Sequence, residues 1–541
     1  MPVNTRHPDA DAMLKRWTLI RDVLAGPAVV KSKKTDYLPR LPGQRLYSLE
    51  GVFIDEYLNY LERAVLVPFG SRVLNGLTGL VCRKAPIFTV PDEIKPMLVD
   101  ITLEGETAEG FAKNCLRENL SVSFGGILVD WSGDQTGRPY MRLYEAESVT
   151  AWDFAVLDGR SLPRRIVLRE FVREANPNDP FVDNSVEQYR VVELVGGPAI
   201  DYPLGYLQHQ LYRQVKDAKG VTKPEWIKYG EPIVPLRLAK PLSFIPFKGL
   251  NPFGAVLRVV KPQILDLIDL ILAHFKNSAD YENLLHFAGA GQLLHLAGHD
   301  PNKDVRVGGS SAVITDNPAA HASYVTTGGH GGAELRQALE DKKVEMSVAA
   351  ARLLLAEQKR GVETVASHEL RMAGDDATLQ DVAGSTAMTI EEALKIFVWW
   401  AGAADTVEEI NGLRDAKGKT IKTVSVELNS QFFSTLISAD DVVRLGVELE
   451  QRHISFDTYW YNLTQGERTM EGRTKEEEMA AIKSDKAFFD GIDPTPLPPP
   501  MPGIPVNKPA GQPGNQPGNQ PADQPGNNPA DNPTQIGVGA A

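Results

Sequence analysis

The apolar residues of this chain change period along its length, and the changes mark out its regions. From about Ile54 to Gly79 they recur at helical steps, with Tyr57, Leu61, Ala64 and Val65 on one face; Pro68 falls inside the segment and predicts a kink. Ala85-Pro86-Ile87-Phe88-Thr89-Val90-Pro91 reads as a short extended piece, and 107–121 as a second helix. Gly125-Gly126-Ile127-Leu128-Val129-Asp130-Trp131 is β-rich and opened by glycine, so it reads as a strand. Further strands are predicted over 141–152, 164–173, 187–195, 205–214 and 233–238, with Asp158-Gly159 and Gly196-Gly197 as turns between them. This middle third predicts an antiparallel sheet region.

The pattern turns helical after Asn251-Pro252. Pro262 stands where a helix start tolerates the missing N–H, and a helix then runs to about Phe287. Ile264, Leu267, Ile268, Ile271 and Phe275 form its apolar face; Asp266, Asp269, Lys276 and Asp280 form a polar stripe. At the α-helical rise this rod is about 35–40 Å long. Residues 288–332 read as irregular and glycine-rich, ending in Gly328-Gly329-His330-Gly331-Gly332. A second rod is predicted from Ala333 to Gln358, interrupted by Lys359-Arg360-Gly361. A third helix follows from Glu363 to Trp399, with Val365, Met372, Leu379, Val382, Ile390 and Leu394 at helical spacing. A strand over 421–428 and helices over 439–452, 455–465 and 473–487 complete the pattern. The class is α+β.

The ends differ from the middle. Residues 1–50 look polar and broken, with a turn-like LPRLPGQ at 38–44, and Lys31-Ser32-Lys33-Lys34 reads as a solvated basic cluster on an N-terminal arm. From Pro494 the chain repeats Gly-Gln-Pro-Gly-Asn and has almost no large apolar side chains, so disorder is expected. The regions are then an arm (1–50), a sheet-containing part (51–250), the first rod (251–287), a connecting segment (288–332), the second rod (333–358), the segment with the third helix (359–400), a C-terminal region (401–493) and the tail (494–541).

Composition narrows the function classes. The chain has 541 residues, 42% of them hydrophobic, and a formal net charge of −13. That balance argues against a sequence-reading DNA binder, which carries a basic face, while it permits a channel through which DNA slides. Two cysteines, Cys82 and Cys115, predict reduced thiols rather than a disulfide framework. The most apolar stretch, ILDLIDLILAHF at 264–275, is broken by Asp266 and Asp269 and is too short to span a bilayer. The N-terminus lacks the apolar core of a secretion signal.

Chemical motifs are scarce. The sequence carries no phosphate-binding Gly-Lys-Ser/Thr loop, no HExxH and no GxSxG. His286, His295 and His299 cluster in sequence without the spacing of a zinc site. Asp375-Asp376 and Glu476-Glu477-Glu478 are acidic runs on predicted helices, where a solvated face is the expected role. Neighbours on a helix point about 100° apart, so only one of Trp399 and Trp400 is expected to face the core. No catalytic, cofactor or metal site is predicted, and the chain is not expected to be an enzyme.

The order of several segments resembles the bacteriophage portal proteins, in particular a portal-like family long catalogued in phage genomes without an assigned function. The similar segments are YLPRLPGQ at 37–44, YLNYLERAVLVPFGSRVLNGLTGLVCRKAP at 57–86, GGILVDW at 125–131, LYEAESVTAW at 143–152, LIDLILAHFKNSADYENLLHFAG at 267–289 and ISFDTYWYNLTQGE at 454–467. Their joint order carries the resemblance, which covers most of 37–485. The chain departs from the family at Gly289-Ala290-Gly291, where a proline and an aliphatic run are usual.

The resemblance implies a fold with a sheet-containing wing, two long stem helices, a clip between them and a helical crown. It implies a homo-oligomer, a ring of twelve at one capsid vertex, assembled in the host cytoplasm and carried in the virion. Its partners would be double-stranded DNA read without sequence specificity, the terminase motor, the major capsid and scaffolding proteins and a tail adaptor, with no membrane and no cofactor. The clip would lie within 288–332, with Gly328, Gly329, Gly331 and Gly332 at its end, and Lys359 and Arg360 would approach a tunnel loop. Glu334, Gln337, Asp341 and Glu345 share one face of the second rod at steps of three and four, and this face is the candidate channel lining; an ordinary solvated surface is the alternative. Two other classes remain open: a different head–tail connector or minor capsid protein, and a metal-dependent DNA-processing enzyme.

Overall fold

Ala10, Met13, Trp17, Ile20 and Val23 recur at steps of three and four and form the inner stripe of α1 (Pro8–Ala25). The computed structural model describes residues 2–49, 52–133, 137–176, 179–197, 199, 202–216, 222–290, 293–297, 318–319, 321–325, 331–354, 365–402, 424–430, 439–465, 468–469 and 475–490. The expected polar arm is therefore corrected: Trp17 is fully buried, stacked on Phe124 with ring centroids 5.4 Å apart. Charged neighbours such as Asp11, Lys15 and Arg16 hide this stripe in a linear reading. Gly26, at φ +103°, stops α1 and starts α2 (Pro27–Ser32). The basic cluster is tied down rather than free: Lys31 Nζ donates to the Glu62 carbonyl at 2.7 Å, and Lys33 Nζ lies 3.6 Å from Asp22.

The hairpin of β1 (Leu46–Leu49) and β2 (Val52–Asp55) leads into α3 (Glu56–Arg63), with Asp55 accepting from the Tyr57 amide as N-cap. The single kinked helix expected here is two helices, because Pro68 forces an extended approach and α4 (Phe69–Val81) starts afresh behind it. Val65, expected on the apolar face, lies in the break and is exposed. β3 (Ile87–Thr89) and α5 (Ala108–Val122) follow, the latter capped by Thr107.

The expected strand over 141–152 is two strands in different sheets. β4 (Gly125–Trp131) and β5 (Pro139–Glu145) pair antiparallel, and a turn at 146–148 then redirects the chain into β6 (Val149–Leu157). β6, β7 (Arg160–Asn176), β8 (Asp179–Val195), β9 (Tyr206–Lys216) and β10 (Thr222–Ile233) form a five-stranded antiparallel meander in chain order. β11 (Leu236–Arg237) and β12 (Lys240–Pro241) make a small hairpin, and β13 (Phe247–Leu250), which the sequence pattern did not predict, pairs with the free edge of β4. The inner ends of the meander enter the main core through Ile166, Leu168, Val192 and Leu207. Its outer part exposes Phe171, Phe181, Ile227 and Tyr229.

The helical half begins with α6 (Leu265–Ala290), which is followed by β14 (Leu293–Ala297), β15 (His321–Val325) and α7 (Gly332–Leu354). The segment read as irregular thus contains a hairpin, with Leu293 paired to Val325 and Ala297 to His321. α8 (Val365–Trp400), 36 residues long, lies across α5, β4 and β13. Polar contacts fix it there: Asn119 Nδ2 donates to Thr386 Oγ1 at 2.9 Å, and Lys248 Nζ to Glu392 at 3.2 Å. Its end overturns one expectation, since both Trp399 and Trp400 are buried in the main core. The core wraps around the helix there, with Phe244 5.4 Å from Trp399 and the Arg237 guanidinium 4.5 Å above the same ring. β16 (Ser425–Glu427) pairs with β3.

The chain divides into two compact units, Met1–Ser434 and Thr435–Ala541. In the second, α9 (Ala439–Glu450), α10 (Phe456–Gln465) and α11 (Lys475–Asp490) carry Val443, Val447, Tyr461 and Ile482 exposed. The acidic run Glu476-Glu477-Glu478 occupies the first turn of α11, where the helix dipole favours negative charge. With helices and antiparallel sheets in one chain, the protein is α+β.

Candidate functional site

The candidate site is built on the pair α6 and α7. The expected apolar face of α6 is buried: Ile264, Leu267, Ile268, Ile271 and Phe275 all lie inside. It packs on α4, where Gly70 lets the Ile268 and Ile271 side chains come close. Of the polar stripe, Asp266, Asp269 and Lys276 are exposed. Asp280 is instead bound, accepting from the Tyr60 hydroxyl at 2.6 Å, and burial together with that carboxylate pushes the hydroxyl's pKa upward. Arg63 Nη1 donates to Asn283 at 3.2 Å, and Ser278 Oγ bridges the Val65 amide and carbonyl. These contacts clamp one side of α6 to α3 and the break behind it.

α7 runs antiparallel on the other side. Gly332 sits against Leu284, while His274 lies near Glu340, Lys342 and Lys343, so the two helices advance in opposite directions. Leu339, Met346 and Ala350 are the buried face of α7. Glu334, Gln337, Asp341 and Glu345 are all exposed on it, and Gln337 Nε2 donates to Asp341 Oδ1 at 2.7 Å. The exposed surface is mixed, with Glu340 paired to Lys343 at 2.8 Å and Arg336 nearby, but acidic residues predominate. Gly331, at φ +101°, makes the turn into α7, a backbone conformation in which a side chain is strained. Gly328, Gly329, Lys359 and Arg360 lie outside the described residues.

His286 is on α6, His295 is on β14 opposite Ser323, and His299 lies outside the described residues. Among the described residues, no group of three His, Cys, Asp or Glu side chains could hold a metal ion. Asp375 and Asp376 lie on α8. Cys82 and Cys115 are free thiols, both pushed to higher pKa by burial. No helix among the described residues is long and apolar enough to cross a membrane.

Two polar clusters were missed in the sequence. At the first, Arg21 on α1 donates to Glu118 at 2.7 Å and to Glu147 at 3.0 Å, joining α1, α5 and the turn after β5. At the second, Arg190 on β8 donates to Glu170 on β7 at 2.9 Å and to Asp130 on β4 at 3.2 Å. Burial pushes the Glu170 carboxyl upward, but Arg190 and the Tyr144 and Gln188 donors hold it below the usual carboxylate range. His209 on β9 completes this cluster. For the second cluster the signal in the sequence was polar residues at strand positions whose register faces the core. In the first cluster one guanidinium serves two carboxylates, and burial pushes the Glu118 carboxyl up to about 7; in the second, Arg190 is shared by Glu170 and Asp130.

Residues 263–401 match a domain of unknown function, DUF4055, over about a quarter of the chain. The match begins just before α6 and ends just after α8, so it frames the two rods, the hairpin between them and the long helix that follows. Among curated proteins, none matches this chain.

Proposed function

We propose that this chain is the subunit of a bacteriophage portal, a ring at one capsid vertex through which double-stranded DNA is packaged and ejected. The observation that carries the reading is the rod–hairpin–rod unit: α6 and α7 antiparallel, β14–β15 at one end, and α8 following at the other. A stem lining a channel needs such rods, and a hairpin at their tip provides a surface for the terminase motor and later the tail adaptor. The resemblance of the segment order to portal proteins points the same way.

Physics gives the acidic surface of α7 a role in this reading. Duplex DNA carries one phosphate charge per about 1.7 Å of axis. A lumen presenting Glu334, Asp341 and Glu345 repels that backbone and keeps the duplex sliding rather than bound. The chain then needs no catalytic site of its own; a separate motor supplies the energy of packaging. A ring of identical subunits closes by heterologous contacts, and the resemblance to portal proteins implies twelve copies in the virion. The test is native mass spectrometry of the full chain at high concentration with scaffolding protein present. A closed oligomer is expected; a monomer at every concentration overturns the reading.

A further inference from the structure

The contact between the three-stranded sheet and the meander holds a titratable group whose hydrogen bonding is incomplete. His209 on β9 is 3% exposed, and its Nε2 has no hydrogen-bond partner. Its Nδ1 stands 3.8 Å from Asp130 Oδ2, beyond hydrogen-bond reach. Asp130 is already engaged: Oδ2 accepts from Arg190 Nη1 at 3.2 Å, Oδ1 accepts from the Trp131 amide at 2.9 Å, and the Tyr140 hydroxyl lies 3.5 Å from Oδ2.

The charges around His209 come from several neighbouring strands. Asp130 belongs to β4, Glu170 to β7 and Arg190 to β8; β5 adds Arg142, 3.9 Å from Glu170, and the hydroxyls of Tyr140 and Tyr144. While the imidazole is neutral, two carboxylates face two guanidiniums. A proton on His209 leaves one positive charge uncompensated inside this contact. Asp130 Oδ2 is shared between Arg190 at 3.2 Å, which ties β8 to β4, and the His209 Nδ1 at 3.8 Å, so no carboxylate is left to the imidazolium alone. Buried charge without a partner is costly, and opening to water is the relief.

We propose that this contact is a proton-operated joint: protonation of His209 opens β8 and β9 locally from β4, and so frees the outer meander to move. Val192, the register partner of His209, and Leu207 beside it stay packed in the main core with Ile166 and Leu168, so the opening is confined to the polar contact. The sign follows from burial, which lowers the His209 pKa below its ordinary 6.5 against the pull of Asp130. A group with a depressed histidine pKa in the folded state leaves stability intact above about pH 6.5 and removes it as pH falls below that value. The joint does not depend on the portal reading.

Hydrogen exchange of the full-length protein, corrected for the intrinsic effect of pH on exchange, tests it. Between about pH 7.5 and about pH 5.5, peptides spanning β4, β8 and β9 are expected to lose about tenfold in protection while α8 holds its own. His209→Gln keeps a polar head that cannot take the proton, and it should abolish the response. An NMR titration of the unmodified protein gives the second readout, with His209 expected to titrate below 6.5. Protection that ignores pH, a His209→Gln protein that still responds, or a His209 titrating at or above 6.5 would each overturn the joint.

Discussion

A methyl group added at Gly126 would fall within the ring of Phe247, which lies across β4 beside Tyr144. Gly126 pairs with Gly249 on one side and Tyr144 on the other, and the added methyl would also meet the Lys248 carbonyl at 3.0 Å. Gly126→Ala should therefore destabilise the chain by about 1–3 kcal/mol, the usual cost of overpacking. Denaturant unfolding checks this; an unchanged midpoint would mean that Phe247 is free to swing away. Trp17 and Trp400 make a different point. Both are buried, yet linear reading assigned the first to a polar arm and allowed only one member of the Trp399–Trp400 pair into the core. Burial of adjacent helical residues requires packing on two sides, which a sequence pattern for one face cannot reveal. The Arg165–Glu193 and Arg169–Glu187 pairs, at 2.8 and 2.6 Å, were likewise illegible until β7 and β8 were in register. At this exposure each contributes at most about 1 kcal/mol, so they help fix register more than they hold the meander together.

At the scale of elements, the long helices were legible because their apolar period is sustained: α6, α7 and α8 lie within a few residues of expectation. The short strands were not. β13 has four residues and contains Gly249, and β14 pairs with a strand far along the chain, so neither carries a local alternation strong enough to read. The segment between the two rods was legible as a connection, but its strand pair was not. Two predictions belong here. Replacing Gly328–Gly332 by alanines strains the turn at Gly331, where φ is +101°, without touching the meander or α8. Oligomers should still form, while DNA packaging or tail attachment fails; normal packaging in a complementation assay would remove the link between β15 and α7 from the account. Reversing Glu334, Asp341 and Glu345 to Lys should turn a repelling surface into a binding one. The assembled variant should then retain duplex DNA with an affinity that falls at least about a thousandfold between about 50 and about 200 mM salt. The same salt slope in the unmodified protein would contradict a repelling lumen.

For the whole molecule, the proposed assembly would give several exposed apolar residues a surface to bury against. Phe181 on the meander, Phe53 on the first hairpin and Leu238 at the β11–β12 turn are each at least 80% exposed on a single chain. A closed ring offers such surfaces a second copy to bury against, and heterologous contacts need two unlike faces per subunit. The acidic balance of the chain, −13 overall, fits a conduit for DNA better than a protein that holds it. Single-particle electron microscopy of the assembled full-length protein tests this most directly. The account predicts a closed ring with a central channel wide enough for a DNA duplex, and with Glu334, Asp341 and Glu345 of α7 facing that channel. Particles without a channel, or rings in which α6 and α7 lie on the outer wall, would contradict it.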